Sequence, residues 1–114
     1  KVMSSNIMKN KYAVFALSNK ENTGILNTDK SNVLIMDEKG RRVSDYTLGQ
    51  DIVNVSCGER LIAVNTGKNI YFIDVAGQLR GSVNSEKDIK NVQFFNDREA
   101  LAVTRDGIIV IKMK

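Results

Sequence analysis

The stretch IYFIDVAGQLR, residues 70–80, repeats the pattern of VLIMDEKGRRV, residues 33–43. In each stretch an apolar run ends at an aspartate, Asp37 or Asp74, and a glycine follows three residues later. The two aspartates are 37 positions apart, and so are the two glycines. An internal repeat of this length is typical of proteins that stack copies of one small structural unit.

Other matches support the same period. DIVNV at residues 51–55 matches DIKNV at residues 88–92, again 37 positions apart. LIAV at residues 61–64 parallels ALAV at residues 100–103, where the offset has grown to 39, as loops of different length would produce. We therefore predict one domain, spanning residues 1–114, with repeat one at about residues 1–49, repeat two at about 50–87 and repeat three at about 88–114.

Repeat two shows the unit most clearly. Short runs rich in β-branched and aromatic residues alternate with glycine-containing turns, which favours strands. The predicted strands of repeat two are residues 52–57, 61–65, 70–74 and 79–83. The same reading gives three strands in repeat three, at residues 89–95, 100–104 and 108–112, and four in repeat one, at 2–8, 12–18, 32–37 and 42–48. Residues 19–31 are predicted to be a polar insertion that forms the longest loop.

The middle runs of the repeats are apolar on both faces, so both faces of each sheet must be covered. A small sheet cannot cover both of its own faces and must stack on further copies of itself. We therefore predict an all-β fold of four-stranded antiparallel meander repeats, stacked as the blades of a partial β-propeller of about two and three-quarter blades.

The phrases IMDEKGRRV and FIDVAGQLR resemble the blades of bacterial propellers of the quinoprotein-like and WD40-like type. The chain is also similar to uncharacterised propeller domains of Firmicutes, and that resemblance implies an extracytoplasmic domain tethered to the membrane. The Gly-His and Trp-Asp pairs of WD40 blades are absent, because the sequence contains no His and no Trp. The Trp that docks each quinoprotein blade is missing too, so no quinone cofactor is expected.

Composition narrows the classes of function. The net charge of +4 comes from 17 basic and 13 acidic residues that alternate along the chain, whereas a nucleic-acid binder usually clusters its basic residues. Without His, the commonest general base and metal ligand is missing, and the single cysteine, Cys57, has no base partner. We predict no catalytic residues, no cofactor, no metal site and no nucleic-acid partner, and the chain has no apolar run long enough to span a membrane.

Two sets of residues are candidates for binding a partner. The first is the apolar tip of the insertion, formed by Gly24, Ile25 and Leu26. The second is a positively charged rim: Arg41, Arg42 and Arg80, together with Lys39, fall in or beside matching turns of neighbouring repeats. Such a rim would favour an acidic protein or another anionic polymer.

These sequence features lead to three hypotheses about function. The leading one is a non-enzymatic binding or scaffold module whose partner is another protein or a further copy of the chain. A second is part of a propeller enzyme whose active site needs further blades, although the inner strands offer only Asn54, Asn91 and Gln93 for a central channel. The third is a structural domain that self-associates. Asp37 and Asp74 are interpreted as structural, because an aspartate before a turn accepts hydrogen bonds from the backbone of that turn.

Overall fold

The computed structural model describes residues 2–9, 11–23 and 26–113, without the side chains of residues 19–30. Every regular element in these ranges is a strand. The strands are β1 Val2–Met8, β2 Tyr12–Thr23, β3 Leu26–Asp37, β4 Arg42–Leu48, β5 Asn54–Cys57, β6 Ile62–Asn65, β7 Asn69–Ile73, β8 Leu79–Asn84, β9 Ile89–Asn96, β10 Glu99–Thr104 and β11 Ile108–Lys112.

The strands form three antiparallel sheets in chain order. Blade one contains β1 to β4, blade two contains β5 to β8, and blade three contains β9 to β11, each strand pairing with its neighbour in sequence. The predicted all-β fold of stacked meanders is therefore confirmed, and the predicted strands of repeats two and three agree with the observed ones to within two residues at each end.

The prediction of a loop at residues 19–31 is wrong. β2 and β3 stay paired without a register shift from Tyr12 opposite Asp37 to Thr23 opposite Leu26. Main-chain pairing does not depend on apolar side chains, so a polar stretch can continue a hairpin beyond its apolar part. Leu26 begins β3, and the other two residues of the predicted binding tip, Gly24 and Ile25, lie outside the described residues.

The core consists of two apolar layers, one between each pair of neighbouring blades. Because side chains alternate along a strand, blade two contributes to both layers. The layer between blades one and two contains Met8, Val14, Ala16, Val33 and Ile35 from blade one and Ile52, Val55, Ile62, Val64 and Ile73 from blade two. The layer between blades two and three contains Ala63, Ile70 and Phe72 from blade two and Ile89, Val92, Ala100 and Ala102 from blade three.

Each blade thus has a backward face, toward the preceding blade, and a forward face, toward the following blade. Paired residues on adjacent strands share a face, so register assigns the outermost surfaces. The backward face of blade one carries Ile7, Ala13, Phe15, Leu34 and Met36, and the forward face of blade three carries Leu101, Val103, Ile108 and Val110. No other described element covers these two faces, and Ile7, Ile108 and Val110 are 68%, 63% and 51% exposed.

The repeated Asp-x-x-Gly phrase forms the same turn in blades one and two. As predicted, Asp37 accepts hydrogen bonds from the backbone N–H groups of Lys39 and Arg41, and Asp74 accepts one from that of Gln78. The N–H group of Arg41, then that of Lys39 and the Arg41 guanidinium, hold the pKa of Asp37 below its ordinary value. The aspartates therefore stabilise their own turns.

The β7–β8 turn also joins two blades. The hydroxyl of Ser44 in β4 donates to the carbonyl of Val75. A Cβ atom on Gly77 would lie 2.6 Å from the carbonyl oxygen of Asp45, and Gly77 has a φ of +81°. This position thus requires glycine both for its backbone conformation and for its close approach to blade one.

We predict that Gly77→Ala destabilises the fold more than Gly40→Ala. Gly40 has a nearly identical φ of +77° but no atom within 4 Å of its Cβ position, so it is a matched control. Gly40→Ala should lose about 1–2 kcal/mol of unfolding free energy from the left-handed conformation alone, and Gly77→Ala about 1–3 kcal/mol more because the turn must move away from blade one. Urea denaturation of both variants measures the difference, and equal losses would contradict the docking of this turn.

Candidate functional site

Basic side chains are frequent at one end of the three blades. We call it the turn rim; it consists of the β1–β2, β3–β4, β5–β6, β7–β8 and β9–β10 turns. Two clefts show that turns of neighbouring blades meet there. One is lined by Lys9, Lys11, Glu59, Arg60 and Ala76, among others, and the other by Arg60, Asp74, Arg80, Asp97 and Arg98, among others.

The arginines predicted to form a positive rim do lie on it, but each is paired with an aspartate. Arg41 Nε lies 3.1 Å from Asp37 Oδ2 and Arg42 Nη2 lies 3.0 Å from Asp45 Oδ2. Arg80 Nε lies 3.4 Å from an oxygen of Asp74, and Lys39 is exposed nearby. These pairs neutralise much of the charge on which the sequence-based interpretation rested.

Two further arginines, which were not among the residues predicted from sequence, lie on the same rim. Arg60 follows Glu59 in the β5–β6 turn, and Arg98 follows Asp97 in the β9–β10 turn. Neither guanidinium makes an ion pair with any described residue. The repeated acid–arginine pair in equivalent turns is the sequence signal that could have identified them.

Arg60, Arg80 and Arg98 line a cleft of about 450 Å³ between blades two and three. Leu61, Phe72 and Met113 contribute apolar surface to the same cleft, and Asp74 and Asp97 are its acidic residues. Phe72 packs edge-to-face against Phe94, with the two ring centroids 6.2 Å apart. The cleft thus combines an apolar floor with a surplus of one positive charge.

A polar network joins the inner parts of blades two and three. The side-chain amide of Asn54 in β5 donates to the carbonyl of Val92 in β9 at 2.9 Å and accepts from its N–H at 3.1 Å. The fully buried Asn65 donates to Asn54 and to the carbonyl of Ile89, and accepts from the N–H of Gly67. Every polar atom of the two amides is therefore used, which a buried polar group requires.

Serine hydroxyls make similar bonds between inner strands. Ser4 Oγ of β1 accepts from the N–H of Val55 in β5, and Ser56 Oγ of β5 accepts from the N–H of Phe94 in β9. Of the three amides considered for a central channel, Asn54 is thus committed to holding blades together. Asn91 and Gln93 make no hydrogen bond through their side chains within the described part of the chain.

We predict that Asn54→Ala costs about 2–4 kcal/mol of unfolding free energy, because it removes the amide bonds to Val92 and deprives Asn65 of a partner. Asn84→Ala is the control: its exposed amide donates only to Asn69, and the expected loss is within about 0.5 kcal/mol. Chemical denaturation compares the two variants. A loss for Asn54→Ala no larger than that of the control would show that the network does not hold the blades.

The single described thiol is poorly suited to nucleophilic chemistry. Burial raises the pKa of Cys57 from its ordinary value of 9.0 to about 12, so the reactive thiolate is scarce near neutral pH. In the unfolded chain the thiol ionises near its ordinary pKa, so the stability of the folded state falls as the pH rises above that value.

We predict that Cys57 in the folded protein reacts with a disulfide reagent such as DTNB about a thousandfold more slowly at pH 8 than an ordinary thiol, because the thiolate fraction falls about tenfold for each unit of pKa. Absorbance of the released thiolate measures the rate. The same chain in concentrated urea is the control and should react at an ordinary rate. Rapid reaction of the folded protein would contradict the burial of the thiol.

Two further features concern residues 2–9, 11–23 and 26–113. Within these ranges no three His, Cys, Asp or Glu residues lie close enough to hold a metal ion. The same part of the chain contains no helix long and apolar enough to cross a membrane.

Comparison with known proteins places the chain in a family. Residues 1–113 match a family of unknown function, DUF5711, and the chain belongs to it. A search of curated proteins found no match. Among solved structures, the crystal structure of HIRA(644-1017) is similar, with a TM-score of 0.66 and 13% sequence identity, over 87% of this chain and 31% of that one.

At 13% identity the likeness concerns the fold alone, and it supports a propeller-like all-β architecture. The chain spans about a third of the length of the structure that it resembles. The finer resemblance to quinoprotein-like or Firmicute propeller domains stays a prediction.

Proposed function

We propose that this chain is a non-enzymatic scaffold and binding module, and that its turn rim binds an acidic segment of a protein partner. The observation that carries the proposal is the cleft between blades two and three, where Arg60 and Arg98 stand without an ion-pair partner among the described residues. Arginine suits this role because its planar guanidinium binds carboxylates through two parallel hydrogen bonds.

The rigidity of the rim supports this proposal. Turns held by Asp37 and Asp74 are fixed by their own hydrogen bonds, and the β7–β8 turn is docked on blade one through Ser44. A preorganised surface loses little conformational entropy when it binds a partner, which favours affinity. The apolar floor provided by Leu61, Phe72 and Met113 adds a place for an apolar side chain next to the acidic group.

The chemically reactive side chains are hydrogen-bonded, ion-paired or protonated, and this supports a non-enzymatic role. Asp37 and Asp74 are occupied by turn backbone and by an arginine each. Asn54 and Asn65 are occupied by each other and by the main chain. The thiol of Cys57 stays protonated at neutral pH. These side chains stabilise the fold, so we assign partner binding to the turns of the rim.

The rim proposal predicts that the double variant Arg60→Gln/Arg98→Gln binds a fluorescein-labelled hexaglutamate peptide about tenfold more weakly than the unchanged chain. Two exposed charge pairs worth about 0.7 kcal/mol each account for that factor. The measurement is fluorescence anisotropy at low and at physiological salt, where screening should weaken binding in all variants.

The matched control is Lys90→Gln/Arg105→Gln, which removes the same charge at the opposite end of the blades, where both residues are exposed. Its dissociation constant should change by less than about twofold, since these side chains lie away from the cleft. Equal weakening by the two double variants would show that net charge alone attracts the peptide. That result, or an unchanged chain that does not bind the peptide, would overturn the proposal.

A further inference from the structure

The two junctions between blades differ in their outer parts, where the third and fourth strands lie. In the junction between blades one and two, Tyr46 and Leu48 of β4 and Tyr71 of β7 pack on the apolar layer. The hydroxyl of Tyr71 accepts a hydrogen bond from the side-chain amide of Gln50, at 3.2 Å. Two phenol rings therefore help to fill this junction, and one of them has a polar partner at the surface.

Strand register gives the counterpart of the first ring in the junction between blades two and three. Tyr46 lies opposite Val33, the first residue of one repeated stretch. Val83 lies opposite Ile70, the first residue of the other repeated stretch. Val83 therefore takes the place of Tyr46, and a short aliphatic side chain stands where blade one has an aromatic ring.

The second ring is replaced in the same way. The row of paired residues that contains Tyr71 starts at Val55 of β5. The row that starts at the matching residue of β9, Val92, ends at Ile109 of β11. Ile109 is thus the counterpart of Tyr71, so the junction between blades two and three lacks both of the rings that the other junction contains.

The smaller side chains leave a cavity of about 300 Å³ between blades two and three. Three residues of its lining, Ile70, Ile89 and Ala102, are almost completely buried, whereas Ile109 is 43% exposed. An apolar cavity of about 150 Å³ is large enough to hold benzene, so this one has room for a substituted ring. We call it the outer cavity; its apolar lining consists of Ile70, Val83, Ile89, Ala102, Ile109 and Ile111.

The opening of the outer cavity is polar and is formed by Ser85, Glu86 and Lys87 of the β8–β9 connection. Hydrogen bonds hold this connection in place. The N–H group of Ser85 donates to the carbonyl of Lys68, and its hydroxyl donates to the carbonyl of Lys87. The ammonium group of Lys68 donates to the carbonyl of Glu86. The 37-residue repeat places Lys87 at the position of Gln50, whose amide donates to a phenol hydroxyl in the other junction.

The charges at this opening favour an uncharged ligand that offers a hydrogen-bond acceptor. Lys87 Nζ lies 2.9 Å from Asp106 Oδ2, and an ammonium group has two further N–H donors. Glu86 adds a second carboxylate and makes no ion pair with the described residues. One ammonium beside two carboxylates leaves a negative balance, which repels an anionic ligand.

We propose that the outer cavity binds a small, uncharged aromatic molecule that carries a hydroxyl group, which is a simple phenol. The ring occupies the place that Tyr46 and Tyr71 occupy in the other junction. Its hydroxyl accepts a hydrogen bond from Lys87, as that of Tyr71 accepts one from Gln50. Removal of the ring from water against the isoleucine side chains supplies most of the binding free energy.

The experiment is an NMR titration of the chain, labelled at its isoleucine methyl groups, with p-cresol, which reproduces the side chain of tyrosine. An aromatic ring shifts the resonances of the methyl groups that it contacts. The methyl resonances of Ile70, Ile109 and Ile111 should shift together, with a dissociation constant on the order of 1 mM. Those of Ile35 and Ile62, which are buried between blades one and two, should not shift.

Val83→Tyr places in the outer cavity the ring that blade one has at this position, so it should weaken p-cresol binding by about tenfold or more. Val43→Tyr is the matched control, because it adds the same ring to a 42% exposed position of blade one and should leave binding unchanged. Ala102→Leu fills the cavity from its buried floor and should also weaken binding. The methyl spectrum without p-cresol shows whether each variant is folded.

Two replacements test Lys87. Lys87→Met removes the donor and should weaken p-cresol binding about fivefold. Lys87→Gln restores the donor that Gln50 provides in the other junction, and its dissociation constant should stay within about twofold of that of the unchanged chain. Both replacements remove the exposed ion pair with Asp106, so the difference between them reports on the hydrogen bond alone.

Three results would overturn the proposal. The first is the absence of any shift in the cavity methyl groups at p-cresol concentrations well above the expected dissociation constant. The second is a folded Val83→Tyr or Ala102→Leu variant that binds as tightly as the unchanged chain. The third is equal binding by Lys87→Met and Lys87→Gln, which would exclude the hydroxyl as a recognised group. The outer cavity opens at the end of the blades opposite the turn rim, so p-cresol binding and peptide binding can each fail without the other.

Discussion

The burial of β6 on both of its faces is the constraint on which the whole architecture depends. All four of its residues, Ile62 to Asn65, are completely buried. Alternate side chains of one strand must therefore be covered by two different partners, blade one on one side and blade three on the other. A strand of this kind cannot exist in an isolated sheet, so the fold is stable only as a stack.

Apolar layers alone would let neighbouring blades slide, because the hydrophobic effect has no direction. The amides of Asn54 and Asn65 and the serine hydroxyls supply direction at the inner strands. At the outer strands the docked β7–β8 turn does the same through Gly77 and Ser44. The junction between blades one and two is thus held at two separated places, which fixes the angle between these two blades.

The sequence predicted this architecture wherever a short sequence pattern directly reflects a contact in the folded chain. The Asp-x-x-Gly phrase specified its turn because the aspartate bonds to the next few residues, and the two-sided apolar runs required stacking. The extension of β2 and β3, in which Asn19 pairs with Lys30, could not be predicted, because main-chain pairing does not require an apolar side-chain pattern. The pairing of Arg80 with Asp74 was equally hidden, since it depends on how two strands are placed in space.

The same reasoning explains why the candidate site was only half predicted. The sequence does not show which cation a carboxylate neutralises, so Arg41, Arg42 and Arg80 were predicted to form the rim and Arg60 and Arg98 were not considered. In this fold the turns between the third and fourth strands keep their arginines for internal pairs, as at Arg41 and Asp37. In the turns between the first and second strands, Arg60 and Arg98 make no ion pair with the described residues, although Asp97 precedes Arg98 in the same turn. The proposed binding of an acidic partner therefore rests on Arg60 and Arg98 in the turns between first and second strands, while the β7–β8 turn packs on the neighbouring blade.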